Sequence, residues 1–126
     1  DLGAVARLIA ELGDRFAVYS GNDDVNVPVM SLGGLGTISV LSNLMPRETS
    51  DMCHKYLAGD VKGAAEDQLR LLPLIDALFA EVNPIPVKSA AALMGLCREE
   101  YRLPLCPPCC ATKSRLAEAM ASVGLL

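Results

Sequence analysis

The sequence predicts an α/β fold: the C-terminal portion of a (β/α)8, or TIM, barrel over residues 1–58, followed by an all-helical domain over residues 59–126. Three observations predict it. Helical and strand-like patterns alternate up to Val40 and only helical periodicity follows, the rhythm of parallel α/β structure with helices appended. Only two strand-like segments occur in 126 residues, whereas a complete barrel has eight strands and about 250 residues. The mean hydropathy of +0.34 is high, yet no apolar run reaches the roughly 18 residues of a membrane span. The excess is read as core surface whose partner elements lie outside the chain.

Residues 2–12 place Val5, Leu8, Ile9 and Leu12 on one helical face, and Gly13 supplies a C-terminal stop. Residues 16–20 (FAVYS) are short, apolar and bounded by turn residues, as a buried strand should be. Gly21-Asn22-Asp23-Asp24 is a turn that opens a short helix over about 24–32, limited by Pro28. Gly33, Gly34 and Gly36 break the chain, and residues 37–40 (TISV) form a second buried strand rich in β-branched residues. Ser42 or Asn43 caps the next helix, with Pro46 near its first turn and Met52, Cys53, Tyr56 and Leu57 on one face. Gly59 ends that helix and Asp60 caps a long one to Val82, with Leu69, Leu72, Ile75, Leu78 and Phe79 on its apolar side. Asn83-Pro84-Ile85-Pro86 predicts an extended break, since each proline disfavours helix at the residue before it. Helices over about 87–96 and 112–122 flank an extended proline-rich loop at 103–108, and Gly124 stops the last one.

Composition excludes several classes. The net charge of -4 and the absence of Trp argue against a nucleic-acid partner, which needs clustered Lys and Arg and stacking rings. The start shows no basic n-region of a signal peptide, and an odd count of five Cys does not suit a secreted disulfide framework. A reducing cytoplasm is the expected location. Cys106-Pro107-Pro108-Cys109-Cys110 contains a C-x-x-C, but a structural zinc needs four ligands, and Cys53, Cys97 and His54 are single. A redox motif should open a helix after a strand, whereas this one lies in a proline-rich loop. The cysteines are read as incidental thiols, with no metal and no cofactor expected.

Four ordered stretches carry a resemblance over the whole chain: Tyr19-Ser20-Gly21-Asn22-Asp23; Leu32-Gly33-Gly34-Leu35-Gly36-Thr37-Ile38-Ser39-Val40 followed by Ser42-Asn43; Asn83-Pro84-Ile85-Pro86-Val87-Lys88; and Arg102-Leu103-Pro104-Leu105. In that order and spacing the chain resembles the C-terminal half of the dihydrodipicolinate synthase family. N-acetylneuraminate lyase and the sugar-acid aldolases share its barrel, but the NPIPVK and RLPL stretches favour the synthase. The resemblance implies condensation of pyruvate with aspartate semialdehyde to 4-hydroxy-tetrahydrodipicolinate, toward diaminopimelate and lysine. It implies an imine between pyruvate and a lysine on the sixth strand, a proton-relaying tyrosine helped by threonines and a second-subunit tyrosine, and an arginine for the aldehyde's carboxylate. It also implies a homotetramer, with Leu2 and Leu32 at the contact between dimers.

Asp1-Leu2 matches the point just after the lysine-bearing motif, so the resemblance implies that this chain lacks the imine lysine and the tyrosine and is inactive alone, without the N-terminal half. Lys55, Lys62, Lys88 and Lys113 lie in helical or post-helical segments and are not assigned that role. The part of the pyruvate pocket that the resemblance places here is Gly21, at the end of a strand where a glycine lets backbone approach a ligand, and Ile38, whose backbone carbonyl faces the adduct. Asp23, at the rim, is a third candidate. On composition alone Gly21 is equally a turn glycine, Ile38 a core residue, Asp23 and Asp24 helix caps, and His54 a surface or helix-packing residue. Two further readings stand beside the lyase: a non-catalytic helical interaction module derived from the family, and another pyruvate-dependent aldolase of the superfamily.

Overall fold

The computed structural model describes residues 1–126, apart from the side chain of Asp14. Six helices dominate: α1 Leu2–Leu12, α2 Asn26–Ser31, α3 Pro46–Leu57, α4 Val61–Leu78, α5 Ile85–Leu93 and α6 Cys110–Ser122, with 3-10 turns at Gly13–Arg15, Asp23–Val25 and Leu41–Asn43.

The caps explain most boundaries. Asp1 accepts the Gly3 N–H at 2.8 Å at the start of α1, and Gly13 closes it at φ 54. Asp60 accepts the Gly63 N–H at 2.9 Å at the start of α4, after Gly59 has turned the chain at φ 90. Several boundaries differ from the sequence reading, among them the end of α5 at Leu93 and the start of α6 at Cys110, with Cys109 at its N-cap. Ser42 and Asn43 do not cap α3; they lie in the 3-10 turn, and α3 starts at Pro46. Asn83–Pro86 is not an extended break throughout, because α5 already begins at Ile85. A proline in the first helical turn forfeits no hydrogen bond, so Pro86 fits inside it. α4 ends at Leu78 rather than Val82.

The two strands expected at 16–20 and 37–40 do not form ladders. The segments are extended and parallel, joined by one bridge, Ser20 to Thr37. Ser20 donates its N–H to the Gly36 carbonyl at 2.9 Å, and Ile38 donates to the Ser20 carbonyl at 2.8 Å. A parallel pair needs neighbours on its edges and cover on its faces to extend further. Here Phe16, Tyr19, Leu35 and Ile38 are exposed.

The main core joins Leu41, Leu44 and Met45 to Leu71, Leu74, Ile75 and Leu78 of α4, Val87 and Ala90 of α5, and Leu116 and Met120 of α6. A smaller cluster of Val27, Met52 and Ala64 ties α2 and α3 to α4. The buried face of α4 is rotated from the one expected: Ile75 and Leu78 are buried as expected, and so are Leu71 and Leu74, whereas Leu69 is 65% exposed and Phe79 39%. Gln68 links α4 to the segment before α2, donating to the Asp23 carbonyl at 2.8 Å and accepting the Val27 N–H at 3.2 Å. No helix among the described residues is long and apolar enough to cross a membrane.

Candidate functional site

Both parallel segments end at one concave surface. Gly21 and Ile38 line a cavity of about 490 Å³ together with Ser39, Asn43, Asn83 and Lys88. Gly21 also borders a second cavity, of about 410 Å³, against α1. A Cβ built on Gly21 would meet nothing within 4 Å, so its lack of a side chain keeps the surface open rather than relieving a clash.

The geometry at Ile38 is set by how the bridge ends. In a continuing parallel ladder the next hydrogen bond would run from the Asn22 N–H to the Ile38 carbonyl. Instead the Asn22 N–H turns to the Ser20 hydroxyl oxygen at 3.3 Å, and that hydroxyl donates to the Asn22 carbonyl at 2.8 Å. Among the described residues no donor reaches the Ile38 carbonyl. The residue is 71% exposed, so Ile38 is not a core residue of this chain.

Asp23 does not join them. It is 1% exposed. One carboxylate oxygen accepts the N–H groups of Val40 at 2.8 Å and Leu41 at 2.9 Å, and the other accepts from the Asn26 amide at 3.3 Å. Asp23 thus pins the chain that follows Ile38 and points into protein, away from the cavity. Burial, and then the Asp23 charge, push the nearby Cys53 thiol up from its ordinary range, which keeps it protonated and unreactive.

Sequence reasoning missed Asn43, Asn83 and Lys88 as cavity residues. Lys88 donates to the Glu100 carbonyl and lies 5.3 Å from the Tyr101 ring centroid. Glu99 fastens the same loop to α5 and α6, accepting from Ser89 at 2.9 Å and Lys113 at 2.8 Å. The Lys113 ammonium, helped by Ser89, holds the Glu99 carboxyl below the usual range. The remaining lysines are engaged elsewhere. Lys55 sits 2.6 Å from Asp67, whose hydrogen bond raises the lysine pKa, and Lys62 pairs with Glu66 at 3.7 Å. Cys106, Cys109 and Cys110 are exposed free thiols, and among the described residues no three His, Cys, Asp or Glu are grouped to hold a metal.

Two parallel segments whose C-terminal ends open onto one cavity, with helices packed behind them, define the C-terminal portion of a (β/α)8 barrel with its helical domain. The chain belongs to the dihydrodipicolinate synthetase family, whose model matches residues 1–122. It is 50% identical over all 126 residues to a 4-hydroxy-tetrahydrodipicolinate synthase of Lachnoclostridium phytofermentans, and spans 43% of that protein. It is 53% identical over 106 residues to the synthase of Clostridium tetani, covering 84% of this chain and 36% of that protein. Among solved structures, the dihydrodipicolinate synthase of Thermotoga maritima superimposes with a TM-score of 0.96 at 39% identity, over 100% of this chain and 44% of its own. The chain thus spans less than half the length of the relatives it matches.

Proposed function

We propose that this chain is part of a lyase that condenses pyruvate with aspartate semialdehyde through a lysine imine to give 4-hydroxy-tetrahydrodipicolinate, on the route to diaminopimelate and lysine. Its share of the pocket is backbone: the open surface at Gly21 and the Ile38 carbonyl. The observation that carries this is the early end of the parallel pairing, which leaves the Ile38 carbonyl without a donor beside Gly21. A relative from Acinetobacter baumannii, 36% identical over 100% of this chain, is described as a chloride-inhibited synthase complexed with pyruvate, which supports a carboxylate ligand.

None of this chain's lysines serves as the imine-forming amine. That amine must be free base, with its pKa lowered by burial or neighbouring charge. Lys55 is pushed the other way by Asp67, and Lys113 is committed to Glu99. None lies on the segments 16–20 or 37–40. The lysine therefore comes from the barrel's N-terminal half, the complete enzyme is a cytoplasmic homotetramer without cofactor, and the chain alone is silent. Asp23 is assigned to support of the pocket wall rather than to ligand binding.

Borohydride reduction in the presence of pyruvate tests this. The isolated chain should gain no pyruvyl adduct by intact mass. A chain carrying the preceding half-barrel should become labelled once the two are combined, and the mixture should consume pyruvate and aspartate semialdehyde. Clear association without labelling would instead favour the non-catalytic interaction module.

A further inference from the structure

Three of the chain's five cysteines, Cys106, Cys109 and Cys110, stand within five residues, and all three are exposed free thiols. None lines the cavity of Gly21 and Ile38. In an ordinary C-x-x-C pair, an adduct on one thiol is displaced by the other, which closes a disulfide. Here the backbone forbids that second step. A disulfide needs Cα atoms about 4.4–6.8 Å apart. Cys106 and Pro107 each precede a proline, which holds them extended. Residues 105–109 contain no helix or turn, and Cys109 continues the run at φ -66 and ψ 162. Such polyproline II backbone advances about 3.1 Å per residue, which sets Cys106 about 9 Å from Cys109 and about 12 Å from Cys110. Cys109 and Cys110 are neighbours, with Cα atoms about 3.8 Å apart, below the disulfide range. The loop is also pinned. Pro108 is buried, the Cys109 N–H donates to the Glu81 carboxylate at 3.0 Å, and the Cys109 carbonyl accepts the Lys113 N–H at 3.1 Å.

We propose that residues 106–110 form a modification site for low-molecular-weight disulfides, one that keeps its mixed disulfide because none of the three thiols can reach another to displace it. The step is a thiol–disulfide exchange. A cysteine thiol gives up its proton and its sulfur attacks one sulfur of the small disulfide. That S–S bond breaks as the new one forms, and the departing small thiolate takes up the proton. The cysteine sulfur is oxidised and half of the small disulfide is reduced, so no further oxidant is needed. The C-x-x-C spacing suggests a redox dithiol, but the two prolines inside it make it a set of separate thiols. The site lies outside the cavity, so it is independent of the lyase reading.

The 126-residue chain, fully reduced and native, is incubated with excess oxidised glutathione, quenched with acid, and mapped by mass spectrometry after tryptic digestion. Cleavage after Arg102 and Lys113 puts all three thiols on one peptide, residues 103–113, apart from Cys53 and Cys97. That peptide should carry one or more glutathione adducts, stable on prolonged incubation and released by added dithiothreitol. A bridge inside the peptide or from it to Cys97, in place of the adduct, would overturn the proposal, as would a peptide that stays unmodified. Replacing both prolines, Pro107→Gly with Pro108→Gly, removes the extended constraint. In that variant the adduct should give way to an internal bridge between Cys106 and Cys109. Adducts that persist in the folded double variant would refute the geometric cause. If the double variant fails to fold, the map of the unaltered chain still decides.

Discussion

Replacing Asp23 by alanine removes the acceptor for two backbone N–H groups, those of Val40 and Leu41, from a position 1% exposed. An orphaned buried donor costs about 1–3 kcal/mol, so the pair is worth roughly 2–6 kcal/mol before relief from no longer burying a carboxylate. A net loss of about 3 kcal/mol is expected. Asparagine at 23 separates charge from geometry. Its carbonyl oxygen can accept the same two N–H groups, and its amide can donate to Asn26 once that carboxamide flips to present Oδ1, which has no partner among the described residues of the unaltered chain. Asp23→Asn should therefore cost only about 1 kcal/mol, the difference between charge-assisted and neutral hydrogen bonds. Urea unfolding followed by circular dichroism, extrapolated linearly to water, measures both. A loss under about 0.5 kcal/mol for alanine, or equal losses for the two variants, would refute the assignment of Asp23 as a clamp on residues 40–41.

Gly34→Ala should cost about 1–3 kcal/mol by overpacking, because its Cβ would lie 2.9 Å from the Val29 carbonyl oxygen and 2.8 Å from a Val29 methyl. Gly21→Ala, with nothing within 4 Å, should change stability by less than about 0.5 kcal/mol; the same denaturation curves compare them. Asp60→Ala removes the N-cap of α4 and should cost about 1 kcal/mol, read as a lower urea midpoint at unchanged slope. Glu99 is held low by Lys113, and Glu81 by the Thr112 hydroxyl and then the Cys109 N–H. Both pKa values are depressed in the folded state, so their contribution is complete above the unfolded carboxylate value of about 4.3 and is lost as pH falls below it. Melting temperature should drop on acidification below that value, and less steeply in Glu99→Gln. An identical acid profile in that variant would remove Glu99 from the account.

Local signals carried the helices. Gly13, Gly59 and Asp60 act within a few residues of where they stand, and each does in the structure what its position suggested; the Asp1 cap on α1 is equally local but is not read from the sequence. Properties set by distant neighbours were not legible. The segments 16–20 and 37–40 have strand composition, but pairing depends on what lies beside them, and one bridge is what they form. Leu71, Leu74, Ile75 and Leu78 are also an i, i+3, i+4, i+7 stripe, overlapping the one expected, and the choice between the two is made by the neighbours that pack there, residues 41–45, α5 and α6. The two backbone N–H groups that Asp23 holds lie 17 and 18 residues away, beyond any capping rule. Gly21 and Ile38 were placed by resemblance, and the structure sets them in one cavity wall. Asn83 and Lys88 stand in one of the four stretches that carry the resemblance, but only the fold of α5 brings them to that wall.

The exchange between Ser20 and Asn22 has a consequence for how this pocket tolerates substitution. The Ile38 carbonyl is open because a neighbouring hydroxyl captures the amide that would otherwise close it. The trait is thus written at position 20 and expressed at position 38. Any side chain compatible with extended backbone can stand at 38 without altering that oxygen. Ser20→Ala, one atom smaller and far subtler on paper, frees the Asn22 amide to extend the pairing and seal it. A saturation screen should therefore find 38 permissive and 20 demanding.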